Sequence, residues 1–221
     1  MSTNQNKREL LRQKRKAQQR RKIYLTALII IGVLVIFGLF AFLPNLISKS
    51  ANYGASQGFA LGDPGAPVKV VAFSSYSCGH CKTFSERLEK DFIKNYIEKG
   101  IVYYRYVNLA SNNEQSKNAA EASYCAADQN KFFDYKSLLY TYASASDGFS
   151  TENLIRYART AGLDAEEFEA CLSSDQYAES YLEDRRYAQS VGVTGTPTFL
   201  VNDQLVYSSE LIATVEYFLS K

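Results

Sequence analysis

The sequence predicts an α/β domain with a helical insertion, carried behind one membrane-spanning helix. Three observations carry this. Residues 23–43 form an apolar run without a single charged side chain. The runs VKVVAFS (68–74) and IVYYRYV (101–107) bracket a helical stretch, the order of a parallel βαβ unit. Helical patterns then dominate for about 80 residues before strand character returns at PTFLVN, residues 197–202. A chain of 221 residues, 46% of them hydrophobic, is long enough for one ordinary domain with a real core and an extension.

Charge is distributed unevenly. The formal total is +2, yet residues 1–22 hold nine Lys/Arg against one Glu, and residues 44–221 hold 16 basic and 22 acidic groups. A mildly acidic body lacks the clustered basic face that nucleic acid demands. The single His excludes multi-histidine metal sites and leaves one imidazole for catalysis.

The run IYLTALIIIGVLVIFGLFAFL (Ile23 to Leu43) would make a helix of roughly 31 Å, the thickness of a bilayer's hydrocarbon core. The basic flank from Lys7 to Lys22 keeps the N-terminus in the cytoplasm by the positive-inside rule, so that everything after Pro44 lies outside. A cleaved signal peptide is the alternative, but its apolar core is usually only about 7–15 residues long. An uncleaved anchor in contact with lipid is the expectation. Residues 44–66, rich in Gly, Ser, Ala and Pro, read as a linker, and the folded domain is expected over 67–221.

Within that domain Val68 to Ser74 is β-branched and aromatic, hence a strand; Lys82 to Glu98 is helical and stops at Gly100; Ile101 to Val107 is the second strand. The insertion, about 112–192, holds EQSKNAAEASYCAADQ, KFFDYKSLLYTYAS, STENLIRYARTAG, LDAEEFEACLSS and DQYAESYLEDRRYAQSVG. Ser150 and Thr151 before Glu152, and Gly162 behind that segment, are cap signals. Leu205 to Tyr207 reads as a last strand and Glu210 to Leu219 as a closing amphipathic helix. Tyr103, Tyr104 and Tyr106 read as sheet and core packing, and Glu166, Glu167 and Glu169 as a solvated helix face.

Cys78-Gly79-His80-Cys81 falls at a strand-to-helix junction. A free thiol with a pKa of about 8.5 is only a few per cent thiolate at neutral pH. Unpaired N–H groups and the positive end of the helix dipole favour the anion there, and His80 adds a donor or a positive charge. Lowering such a pKa by about 3 favours the reduced, thiolate form by roughly 4 kcal/mol and makes the disulfide a better oxidant. Cys78, at the exposed end, is the expected exchanging sulfur and Cys81, one turn in, the resolving one. A bare CxxC is also compatible with a buried structural disulfide or half of a Cys₄ zinc site. The βαβ setting and the absence of a second CxxC favour redox chemistry. Thr196-Pro197 precedes a strand, where proline fits only at the first residue or an edge, and by itself reads as an ordinary turn.

Taken together, FSSYSCGHCKTF, EASYCAADQNKFFDY, FEACLSS and VGVTGTPTFLVN resemble the DsbA-like thiol:disulfide oxidoreductases, from roughly Pro67 to the C-terminus. The resemblance implies a thioredoxin fold with an inserted helical subdomain. It also implies a cis peptide bond before Pro197, on a loop that faces the cysteines and offers the backbone of Thr196 to a substrate strand. The inter-cysteine Gly-His is similar to that of protein disulfide isomerase. Two positions depart from the pattern. Many members carry a buried carboxylate six residues before the first cysteine, where this chain has Ala72. The aromatic often found just before that cysteine is Ser77 here, with Tyr76 one place earlier.

Cys125 and Cys171 lie in two helices of the insertion, and some DsbA-like proteins resemble this in carrying an extra bridge there. In an oxidising compartment a structural disulfide is the expectation, with two reduced core cysteines as the alternative. The resemblance implies an extracytoplasmic oxidoreductase that needs no bound cofactor. It would oxidise unfolded exported proteins and be recycled by a quinone-linked membrane oxidase. A reductase or isomerase of the same fold is one rival. A binding module, holding a metal through Cys78, His80 and Cys81 or holding a peptide, is another.

Overall fold

The computed structural model describes residues 59–221. The run expected to cross the membrane, 23–43, the basic tail and most of the linker lie outside the described residues. Among the described residues no helix is long and apolar enough to cross a membrane.

Five strands, β1 (Ala60–Leu61), β2 (Val68–Ser74), β3 (Val102–Asn108), β4 (Thr198–Val201) and β5 (Gln204–Tyr207), form one sheet in the order β1-β3-β2-β4-β5. β2 and β3 run parallel in a register that pairs Val68 with Val102 and Ser74 with Asn108. β4 is antiparallel to β2, and β5 to β4. β1 pairs antiparallel with β3 and lies inside the stretch read as linker. Two residues cannot declare a strand by composition; β1 is set by its partner, and the Tyr106 N–H extends the contact to the Phe59 carbonyl at 2.7 Å.

Both faces of β2 are buried, as the central strand of a covered sheet requires. Val68, Val70 and Ala72 pack toward Phe84, Phe92, Phe199 and Val215. Phe73 packs on the other face with Val107 and Ala188. The crossover between β2 and β3 is α1 (Gly79–Arg87), α2 (Glu89–Phe92) and a π-helical turn at Ile93–Ile97. The sequence predicts one unbroken helix here. In such a helix Phe84, Leu88 and Phe92 would share one buried stripe. A break at Leu88 instead leaves that side chain 51% exposed and turns Glu89 inward, 4% exposed.

The insertion consists of α3 (Glu114–Asp128), α4 (Phe132–Tyr142), α5 (Thr151–Thr160), α6 (Ala165–Ser173) and α7 (Ser180–Ser190); α8 (Leu211–Leu219) closes the chain. Asn113, Ser150 and Asp164 cap α3, α5 and α6 by accepting from backbone N–H groups two or three residues on. Gly162, at φ +75°, ends α5 in the left-handed region. The last helical segment starts at Ser180, later than its pattern from Asp175 promised.

Two links fasten the insertion. Cys125 on α3 and Cys171 on α6 form a disulfide across 46 positions. Glu89 of α2 forms a buried ion pair with Lys136 of α4, whose side chains are 5% and 1% exposed. Cys125→Ser is expected to lower the unfolding free energy by about 4 kcal/mol on the chain-entropy model, read from urea denaturation of the oxidised protein. Lys136→Met leaves Glu89 as a lone buried charge and is expected to cost about 3–5 kcal/mol, whereas adding Glu89→Leu should restore most of that loss. A double variant no more stable than Lys136→Met would argue against a buried charge pair.

Candidate active site

The two cysteines of the CxxC sit where β2 hands over to α1. Cys78 is the N-cap of α1, with extended φ and ψ of −97° and 120°, and its carbonyl accepts the first helical hydrogen bond, from the Lys82 N–H at 3.0 Å. Its own N–H donates to the Ser75 carbonyl at 3.1 Å, which fixes the turn out of the strand. No acidic residue occupies the first turn of α1, so nothing there opposes a thiolate. Cys78 is half-buried and Cys81, on the inner face of the same turn, is fully buried; both are free thiols.

The Thr196–Pro197 loop covers the pair. The Thr196–Pro197 peptide bond is cis, and the Thr198 hydroxyl donates to the Gly195 carbonyl at 2.8 Å across the bend. The Cys78 thiol donates to the Thr196 carbonyl at 3.4 Å. Thr196 is half-buried and Pro197 buried, immediately before β4. The site is therefore built from two segments 118 positions apart, joined by the pairing of β2 with β4.

The environments separate the two thiols. At Cys78 burial works against the anion. Hydrogen bonds from the Thr196 side chain, from the backbone and thiol of Cys81 and from the backbone N–H of His80 outweigh it and hold the thiol below its ordinary value. The carbonyl of Thr196 favours the thiol and the donors favour the thiolate; the donors are more numerous, and the balance falls toward the anion. At Cys81 burial dominates and pushes the thiol up to about 11, offset in part by hydrogen bonds from the Ser74 side chain and the Ser75 backbone.

His80 is exposed, and its contribution to the sulfur of Cys78 comes through its backbone. Ser77 is exposed, while Tyr76 turns into the core and stacks on Tyr106 with ring centroids 6.0 Å apart. Among the described residues no group of three or more His, Cys, Asp and Glu is placed to hold a metal.

Beneath Cys81 lies a polar assembly that the motif does not announce. Ala72 stands where many DsbA-like proteins carry a carboxylate, and the space it lines is shared by Ser74, Cys81, Glu89, Lys136 and Tyr140. Glu89 accepts from the Tyr104 hydroxyl at 2.8 Å and from the Ser85 hydroxyl at 2.9 Å, besides pairing with Lys136. Tyr104 and Tyr106 are core residues, and their hydroxyls also belong to this assembly. The sequence did hold a signal. Lys136 stands among Phe132, Phe133, Leu139 and Tyr140, and Glu89 precedes Phe92 and Ile93 at helical spacing, each a lone charge on an apolar stripe.

A thioredoxin family model matches residues 55–221. Disulfide bond formation protein D of Bacillus subtilis (strain 168) is 28% identical over 151 residues, covering 66% of this chain and 68% of that protein. The Na(+)/H(+) antiporter NhaA 1 of Mycobacterium sp. (strain KMS) is 28% identical over 144 residues, but the match spans only 23% of its length. Among solved structures, oxidised BdbD from Bacillus subtilis superposes with a TM-score of 0.68 at 26% identity, covering 75% of this chain and 95% of that one. Chlamydia trachomatis DsbA shares the fold with a TM-score of 0.66 at 21% identity. With a CxxC split between an activated and a buried thiol and a family match over the whole described domain, the chain belongs to the thioredoxin family and is a DsbA-like thiol–disulfide oxidoreductase.

Proposed function

We propose that this protein is a membrane-tethered, extracytoplasmic oxidase that introduces disulfides into exported proteins at Cys78–Cys81. The observation that carries the reading is the placement of the two thiols: Cys78 half-buried at the N-cap of α1 against the Thr196 carbonyl, and Cys81 fully buried one turn in. Hydrogen bonds thereby lower the first thiol's pKa and burial raises the second's. A thiolate at Cys78 stabilises the reduced protein, so the disulfide gives up its oxidising equivalents readily.

The reaction balances as follows. A substrate thiolate attacks the Cys78 sulfur, the Cys78–Cys81 bond breaks, and Cys81 leaves with the electron pair. A second substrate thiolate attacks its own sulfur in the mixed disulfide and releases Cys78 as a thiolate. The substrate loses two electrons and two protons; Cys81 takes up one proton and the medium the other. A second, quinone-linked membrane oxidase must then remove the electrons from the reduced protein. No bound cofactor enters these steps.

Thr196 and Pro197 are the substrate-facing loop of this reading: the Thr196 backbone lies within reach of Cys78 and would pair with an extended substrate segment. His80, exposed beside Cys78, would add a donor or charge to the departing thiolate. Cys125–Cys171 is a structural bridge in this reading. Residues 1–22 would remain cytoplasmic and 23–43 would hold the domain to the membrane, through lipid contact alone and without a role for nucleic acid.

The thiolate at Cys78 gives a pH signature with a definite sign. A lowered pKa in the reduced protein means that its stabilisation is present at high pH and is lost as pH falls through that pKa. Alkylation of Cys78 by iodoacetamide should therefore rise with pH with a midpoint below that of a free thiol, about 8.5, and vanish in Cys78→Ser. Between that midpoint and about 11 only one proton accompanies two electrons, so the reduction potential should fall by about 30 mV per pH unit, against about 60 mV below it. Equilibration with glutathione buffers should place the potential nearer to about −120 mV than to about −270 mV; the latter value would make the protein a reductase.

A further inference from the structure

The space beneath Cys81 is lined by Ser74, Tyr106 and Tyr140. When the sulfur of Cys81 takes on negative charge during exchange, position 72 offers only the methyl group of an alanine. Hydroxyl groups stand beside it. Ser74 Oγ lies 2.8 Å from Tyr140 Oη, and Tyr140 Oη lies 2.7 Å from Tyr106 Oη. The three residues are 5%, 1% and 3% exposed, and in both contacts either oxygen can donate. Lys136 Nζ sits 5.4 Å over the Tyr140 ring and 5.5 Å over the Tyr106 ring, where a cation draws electron density from the phenols and strengthens them as donors.

We propose that Ser74, Tyr140 and Tyr106 form a reorientable chain of donors that receives the charge on Cys81 when the Cys78–Cys81 bond breaks, with Lys136 backing it. The inference rests on the exchange reaction proposed above. As the substrate thiolate bonds to Cys78, the electron pair of the broken bond goes to the Cys81 sulfur. Ser74 turns its O–H to that sulfur and accepts from Tyr140, which accepts from Tyr106. No proton has to cross the core at that moment; Cys81 takes its proton from the medium as the product departs. Burial raises both phenols well above their ordinary range, so they stay protonated and able to donate. Ser74 and Cys81 line the same space, so the hydroxyl stands beside the sulfur it would serve. Ser74 touches the reacting sulfur; Tyr140 and Tyr106 act through it as positioning residues. A series of hydroxyls also polarises cooperatively, each bond strengthening the next.

The test uses the full chain, oxidised, with reduction by a small dithiol followed by stopped flow. Tyr140→Phe and Ser74→Ala should each slow reduction about tenfold, the scale of one hydrogen bond to a charged group. The double variant should be no slower than Ser74→Ala, because Tyr140 acts only through Ser74. Alkylation of Cys78 in the same reduced variants should keep the rate of the unsubstituted chain. A Tyr140→Phe rate equal to that of the unsubstituted chain overturns the proposal. So does an additive loss of about a hundredfold in the double variant, or a matching fall in Cys78 alkylation. If Tyr140→Phe does not fold, Ser74→Thr decides, since restoring a hydroxyl must restore the rate lost in Ser74→Ala. Failure of the exchange reading itself shows separately, as no dithiol exchange in the unsubstituted chain.

Discussion

A buried ammonium cannot stand alone, and much of this domain is arranged around that constraint. Lys136, 1% exposed on α4, has its counter-charge in Glu89 of α2. Taking two such ions out of water costs several kcal/mol each before their attraction and hydrogen bonds repay it. The pair is tolerable only because Ser85 and Tyr104 also donate to Glu89 and three aromatic rings face the ammonium. The break at Leu88 places the carboxylate there, at the cost of exposing a leucine. Lys82 of α1 holds the other end of α4 by donating to the Tyr140 carbonyl. The cysteine-bearing helix and the insertion are thus clamped at two points, and the insertion is part of the active site's floor.

That floor explains how two thiols three residues apart behave differently. One turn of helix carries Cys78 from the N-terminal N–H groups to Cys81 in a closed polar core. The first environment favours an anion through donors and an uncrowded helix end; the second penalises it through desolvation. An exchange enzyme needs this asymmetry, because the sulfur that leaves easily must be the one a substrate can reach.

The parts of this arrangement differ in how visible they are in sequence. β2 is legible because alternation, β-branching and aromatic content agree over seven residues, and the CxxC is legible because strand meets helix there. The caps at Ser150 and Gly162 follow local rules and fall where those rules put them. β1 is invisible because two residues owe their conformation to β3 rather than to themselves. The break at Leu88 is invisible because the local pattern favours one continuous helix and a tertiary ion pair overrides it. The tyrosines mark an intermediate case. Tyr104, Tyr106 and Tyr140 pack as the composition implies, but whether a buried phenol merely fills space or also relays a hydrogen bond depends on its neighbours within about 3 Å.

The neutral side chain at Ala72 then has a physical reason. The space it lines already contains one carboxylate, Glu89, and one ammonium, Lys136. A second carboxylate on β2 would share that single cation and add an uncompensated negative charge to the compartment that holds the Cys81 sulfur. Charge balance in a buried core permits one acid for one base. Here the acid comes from the crossover helix, and the residue facing it from the sheet can carry no charge. The hydroxyls of Ser74, Tyr140 and Tyr106 satisfy both demands, since they donate to an anion without bringing a charge of their own.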